Sequence, residues 1–148
     1  MRSPVFDCAA VVPQYTISLG DAIAMSDFSN CPFCSEDDAI VKNDHAYARF
    51  DKYPVNPGHV LVIPRRHVSS FFEISRSERQ ELFNLVDEMK LYLDSKYSPD
   101  GYNVGINVGE TAGQTVMHVH VHLIPRYKDD TPHPRGGVRG VIPAKQSY

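Results

Sequence analysis

The sequence predicts an α+β fold. Five short stretches carry the apolar patterning of β-strands, one long stretch carries a helical period, and turn-forming residues separate them. The most marked strand is Val116–Arg126, VMHVHVHLIPR, in which two sets of residues alternate. Met117, Val119, Val121 and Leu123 fall on one side, suited to a core. His118, His120 and His122 fall on the other, and neighbouring imidazoles leave the backbone roughly 6.7 Å apart.

Length and composition narrow the class. A chain of 148 residues fits one domain with a core of its own, and 42% hydrophobic with 22% charged residues is ordinary for a globular protein. The net charge of −3 argues against a surface that coats a nucleic-acid polymer. No apolar run approaches the ~20 residues that span a bilayer, so no membrane is expected. Three cysteines, an odd number, do not read as a disulfide framework, and a reduced, cytoplasmic setting is expected. Residues 1–24 show no sustained period, and Pro13 interrupts what a signal peptide would need as its apolar stretch. They are expected to be an extension, disordered or non-native, outside a folded unit of residues 25–148. Cys8 then lies outside any metal site.

Each element has a local reason. Cys31-Pro-Phe-Cys34 sets two thiols at a spacing that can aim both at one metal ion. The same spacing serves redox pairs, but those want a helix starting in the motif, and the acidic Ser35–Asp38 run would raise the thiol pKa values. Ala39–Lys42 and His45–Phe50 read as strands joined by a turn at Asn43-Asp44. Asp51 closes the second strand, either as a solvated acid or as a carboxylate for ribose hydroxyls. Residues 53–58 are turn-rich, and His59–Pro64 is a continuous apolar run suited to a central strand. His59 reads as a core or supporting histidine, Arg65 and Arg66 as a basic surface cluster, and His67 as a side chain able to reach a metal.

Ser75 and Glu78 form a capping box that opens a helix running to about Lys96. Leu82, Val86, Met89 and Leu93 share its apolar face, widened by Phe83 and Leu85, and Ser98-Pro-Asp-Gly101 ends it. Tyr102–Val108 alternates again. Its second face, Asn103, Gly105 and Asn107, has little bulk, which leaves room for close approach. Gly109–Gln114 leads into the histidine strand, and Gly113, Gln114 and Thr115 form either an ordinary hairpin loop or a nest for phosphate. From about Tyr127 the chain is a tail without period, whose Arg135 and Arg139 serve as a polyphosphate cap or a solvated arm.

Three imidazoles on one strand face are poor packing material, and such faces normally carry Thr, Lys, Glu or Arg. Their pKa values lie near neutrality, and each nitrogen can donate, accept, attack or ligate. The chemistry is therefore placed on this strand.

His118-Val-His-Val-His-Leu-Ile124, preceded by Ala112-Gly-Gln-Thr-Val116, resembles the motif of the histidine triad family, and Pro57-Gly-His-Val-Leu-Val-Ile-Pro64 resembles its other marked segment. The likeness spans roughly Cys31 to Arg126, and the tail PRGGVRGVIP looks like a bacterial branch. The resemblance implies a compact α+β domain with a mostly antiparallel sheet of about five strands and usually a homodimer. It implies hydrolysis or transfer at the α-phosphorus of a purine nucleotide, either a nucleoside phosphoramidate or a dinucleoside polyphosphate. His120 would be the nucleophile that forms a nucleotidyl-histidine, His122 would bond the phosphate and leaving side, and His59 would support them. Asp51 matches the ribose-binding position, and Asn107, Gln114 and Thr115 match phosphate-contacting ones, with the Gly113 amide beside them. Asn107, where some dinucleoside polyphosphate hydrolases carry Gln, leans toward phosphoramidates. Related bacterial proteins hold a structural zinc, which maps to Cys31, Cys34, His67 and His118. No organic cofactor is implied. The alternatives are a nucleotidyltransferase or phosphorylase on the same fold, a nucleotide-binding protein with vestigial activity, and a thiol-dependent module built on the cysteines.

Overall fold

The computed structural model describes residues 30–148, so the expectations for residues 1–24 and Cys8 lie outside the described residues. Five strands form one antiparallel sheet: β1 (Val41–Lys42), β2 (Ala46–Phe50), β3 (Val60–Pro64), β4 (Gly101–Gly105) and β5 (Val121–Arg126), in the order β1-β2-β3-β5-β4. Among the described residues a single α-helix, α1 (Arg76–Tyr97), packs on one face. The predicted class and the single long helix are both found. Among the described residues no helix is long and apolar enough to cross a membrane.

Period two sorts the sheet into two faces. Ala46, Ala48, Val60, Val62, Val121 and Leu123 are buried against Leu82, Leu85, Val86, Met89 and Leu93 of α1. Tyr47, Leu61 and Ile63 point the other way and form a smaller cluster with Phe33 and Ala39. The capping box at α1 is complete: the Ser75 hydroxyl accepts from the Glu78 amide, and the Glu78 carboxylate accepts from the Ser75 amide. Phe83, expected to widen the apolar face, is instead exposed. The helix ends at Ser98 in the left-handed conformation, just before Pro99, which cannot continue it.

The hairpin between β1 and β2 is held by Asn43, whose side-chain oxygen accepts from the His45 and Ala46 amides. Arg65 and Arg66 are not a free basic cluster. Arg65 pairs with Glu36, and Arg66 makes a forked pair with Glu78 that pulls the carboxyl down to about 2. β4 stops at Gly105, short of the expected Val108. A 3-10 turn at Glu110–Ala112 then leads toward the histidines. The tail folds into two 3-10 turns, Gly137–Val141 and Pro143–Lys145, rather than lying extended.

Candidate active site

The histidine segment departs from a simple strand. Regular pairing with β3 runs only over Val60–Val62 against Val121–Leu123. Upstream, the Val119 amide donates to the Val68 carbonyl at 2.8 Å, and the His118 ring takes the Pro64 carbonyl at 2.8 Å. The expected strand over Val116–Arg126 is therefore regular only from Val121, because the backbone groups that would extend it are already engaged. Met117, expected in the core, is 38% exposed for the same reason.

These contacts fix the tautomers. A carbonyl can only accept, so His118 donates from Nε2 and turns the lone pair of Nδ1 toward sulfur. Cys31 Sγ stands 3.4 Å and Cys34 Sγ 3.7 Å from that nitrogen, and His67 Nδ1 is 3.3 Å from Cys34 Sγ. Two ligands on one tetrahedral zinc, at ordinary Zn–S and Zn–N lengths, stand about 3.5 Å apart. The two thiols and two imidazoles, with donor atoms all within 4.8 Å, thus form a donor set that fits a tetrahedral ion. The Cys34 amide donates to the Cys31 carbonyl in a tight turn, and no helix begins in the motif, which removes the context a redox pair would want.

His120 has the opposite tautomer. Its Nδ1 donates to the His118 carbonyl at 2.8 Å, which leaves the Nε2 lone pair available. His59 Nδ1 accepts from the Val55 amide at 3.2 Å, so its Nε2–H donates to His122 Nδ1 at 3.0 Å. His122 in turn keeps its proton on Nε2. Burial, with the neighbouring His120 and His59, pushes His122 down to about 4, and burial lowers His59 against the pull of Asp51. Burial likewise holds His118 down at about 4.

One row of the sheet organises the surroundings: Arg49 in β2, Leu61 in β3, His122 in β5 and Gly105 in β4 stand opposite one another in register. A pocket of about 340 Å³ opens over this row, walled by Phe33, Arg49, Asp51, Leu61 and Thr115 and reaching His120 and His122. Asp51 accepts from the Tyr53 amide with one oxygen and stands 3.5 Å from His59 Nδ1 with the other. The Phe33 ring meets His120 edge-on at 5.1 Å. Arg49 is almost fully buried, paired with Asp38, with its guanidinium over Phe33.

Gln114 and Asn107, two expected phosphate contacts, are outside the lining of this pocket. Gln114 is buried; its carboxamide accepts from the Gly109 amide and donates to the Ser69 and Val116 carbonyls, so it braces the loop. Asn107 lines a second pocket, of about 240 Å³, on the other side of His122. Gly113 is exposed in the left-handed region that glycine tolerates, with Thr115 beside the first pocket. Sequence reasoning missed Phe33 and Arg49. Phe33 lies between the two cysteines, and Arg49 shares the face of Tyr47 and Asp51, but only the register shows what they touch.

The chain resembles known proteins in both sequence and shape. The crystal structure of a HIT family protein from Bacillus anthracis is 35% identical, covers 69% of this chain and 77% of its own, and superposes with a TM-score of 0.64. A Zn-bound histidine triad family protein from Mycobacterium smegmatis is 25% identical over 78% of this chain and 93% of its own, with a TM-score of 0.63. The bis(5'-nucleosyl)-tetraphosphatase [asymmetrical] of Schizosaccharomyces pombe is 47% identical over 77 residues, 52% of this chain and 42% of its own. The AP-4-A phosphorylase of Mycobacterium tuberculosis is 34% identical over 106 residues, 70% of this chain and 54% of its own. The chain thus spans about half the length of these two named enzymes. The family model described as the HIT domain matches residues 34–129, which takes in Cys34, both pockets' histidines and the whole sheet, and the chain belongs to that family.

Proposed function

We propose that the protein is a nucleotide hydrolase that attacks the α-phosphorus of a nucleoside phosphoramidate or dinucleoside polyphosphate through His120. The observation that carries this reading is the His120 tautomer: Nδ1–H is held by the His118 carbonyl, and the opposite nitrogen is left as a lone pair at a pocket. The nucleoside fits the first pocket, between the apolar Phe33 and Leu61, with Asp51 for the ribose hydroxyls and Thr115 near the phosphate.

His120 Nε2 bonds to phosphorus, and the bond to the leaving atom breaks with its electron pair on that atom. The charge of a bound phosphate raises the His122 pKa, so His122 is protonated in the complex and gives its Nε2 proton to the leaving atom. For His122 to hold both protons, His59 changes tautomer in the complex: it gives up the Val55 amide contact of the free protein, carries its proton on Nδ1 toward Asp51, and accepts from His122 Nδ1–H with Nε2. In the second half, His122 takes a proton from the water that cleaves the nucleotidyl-histidine. Denaturing the enzyme during turnover and locating the modified residue by mass spectrometry tests this. A nucleotide on His120 is expected, and its absence with turnover intact would exclude the mechanism.

The similarity to AP-4-A phosphorylase favours a second reading, transfer to phosphate instead of water. Product analysis with and without inorganic phosphate separates the two. In either case Cys31, Cys34, His67 and His118 would hold a structural zinc that fixes the start of the histidine segment. β4 is an edge strand of the sheet, and we propose that the protein is a homodimer, which light scattering tests.

A further inference from the structure

The wall of the nucleoside pocket holds a buried cation that the reaction at His120 does not use. Arg49 lies in β2, two strands across the sheet from His122, with Leu61 of β3 between them in register. Cross-strand partners project to the same side, and two strand spacings put the backbones of Arg49 and His122 roughly 10 Å apart. A nucleotide with its phosphorus at the histidines therefore brings its far end, the base, to Arg49. Pro32 and Phe33 wall the same end, and the Arg49 guanidinium stands over the Phe33 ring.

Arg49 is 4% exposed, yet its donors are only partly answered. One nitrogen, Nη2, pairs with Asp38, and Nη1 donates to the Pro32 carbonyl at 3.4 Å, longer than an ordinary bond of this kind. Nε–H has no acceptor among the described residues. A guanidinium carries five N–H donors and no acceptor, and a buried donor without a partner is costly. An apolar side chain here would join the Tyr47, Leu61 and Ile63 cluster without that cost. The other charged groups of the wall do not answer it. Asp51 is engaged by the Tyr53 amide and faces His59, Lys52 is exposed, and His120 and His122 stand at the phosphate end.

We infer that Arg49 reads the base and selects 6-oxopurine nucleotides, those of guanine and hypoxanthine, over those of adenine. This rests on the nucleoside placement proposed above. Guanine presents O6 and N7 as neighbouring acceptors, which two N–H groups of one guanidinium meet as a fork. The guanidinium trades its long Pro32 bond for these two atoms, with the Asp38 pair as its anchor. Adenine keeps N7 but carries an amine in place of O6. There N–H would face N–H, and two buried donors would be left unpaired.

Titration calorimetry of the full chain with the 5'-monophosphates of guanosine, inosine and adenosine tests this, beside kcat/KM on guanosine and adenosine 5'-phosphoramidates. The wild type is expected to bind the guanosine and inosine compounds about 10-fold or more tighter than the adenosine one, with the same order in kcat/KM. Arg49→Met, which removes the fork, should bring the three to within about 3-fold of one another. Arg49→Lys keeps the charge without the fork; it should lose the preference as well, and it serves if Arg49→Met fails to fold. Adenosine monophosphate bound as tightly as guanosine monophosphate by the wild type, or a preference that survives substitution, overturns the assignment. A preference for guanosine that inosine does not share places recognition at the 2-amino group and overturns it too. The expected preference in binding, with no turnover of either phosphoramidate, upholds Arg49 and overturns the reaction at His120. Binding of none of the three overturns the nucleoside pocket, and the role of Arg49 with it.

Discussion

The two ends of the histidine segment use the same side chain in opposite ways. At His118 the backbone takes Nε2 and Nδ1 is turned to two thiols; at His120 the backbone takes Nδ1 and Nε2 is left at the pocket. Both rings are almost wholly buried, so exposure does not separate them. What separates them is which nitrogen a carbonyl has claimed: Pro64 from β3 in one case, the neighbouring peptide in the other. In the proposed reading, the roles of ligand and nucleophile are thus assigned by main-chain geometry two residues apart.

The contrast breaks most sharply at His120. His120→Ala should lower kcat by about 10⁴-fold or more while nucleotide binding persists, because the attacking atom is gone but the pocket walls remain. Single-turnover kinetics with equilibrium binding checks both halves. The next largest effect is expected from His59→Ala, which frees His122 Nδ1 and removes the donor that sets its tautomer. We expect kcat to fall about 100-fold with KM little changed. Equal changes in both constants would instead make His59 a packing residue.

The other end tests the proposed zinc. Cys31→Ser should remove zinc, read as about one ion per chain lost by elemental analysis, and lower Tm by roughly 5–10 °C. Zinc retained in that variant would defeat the four-ligand assignment. The smallest effect is on the pH dependence of stability. His59 and His122 are lowered from 6.5 in the folded protein, His122 to about 4. The unfolded chain therefore binds protons in the window from 6.5 down to about 4 that the folded one refuses. Stability should fall as pH drops through that window and level off above it, as urea unfolding across the range would show. His122→Asn should flatten part of the slope.

Much of this was legible in the sequence because it rests on local pattern. The capping box at Ser75, the turn at Asn43 and the alternation of Val121 and Leu123 with His122 are each set by neighbours a few residues away. The four metal-ligand candidates also come together. Other features depended on register, which a sequence does not state. That β5 begins only at Val121, that Gln114 turns inward, and that Arg49, Leu61, His122 and Gly105 form one row all follow from which strand meets which. Phe33 was passed over because the residue between two cysteines reads as a spacer until its ring is seen against His120.

That ring ties two chemistries together. Phe33 belongs to the turn that carries both thiols, its carbonyl is held by the Tyr47 hydroxyl, and its edge rests on His120. Whatever spreads or joins the sulfurs also moves one wall of the pocket at His120, so an oxidant or chelator acting on the cysteine turn becomes a change in cavity shape without touching that imidazole.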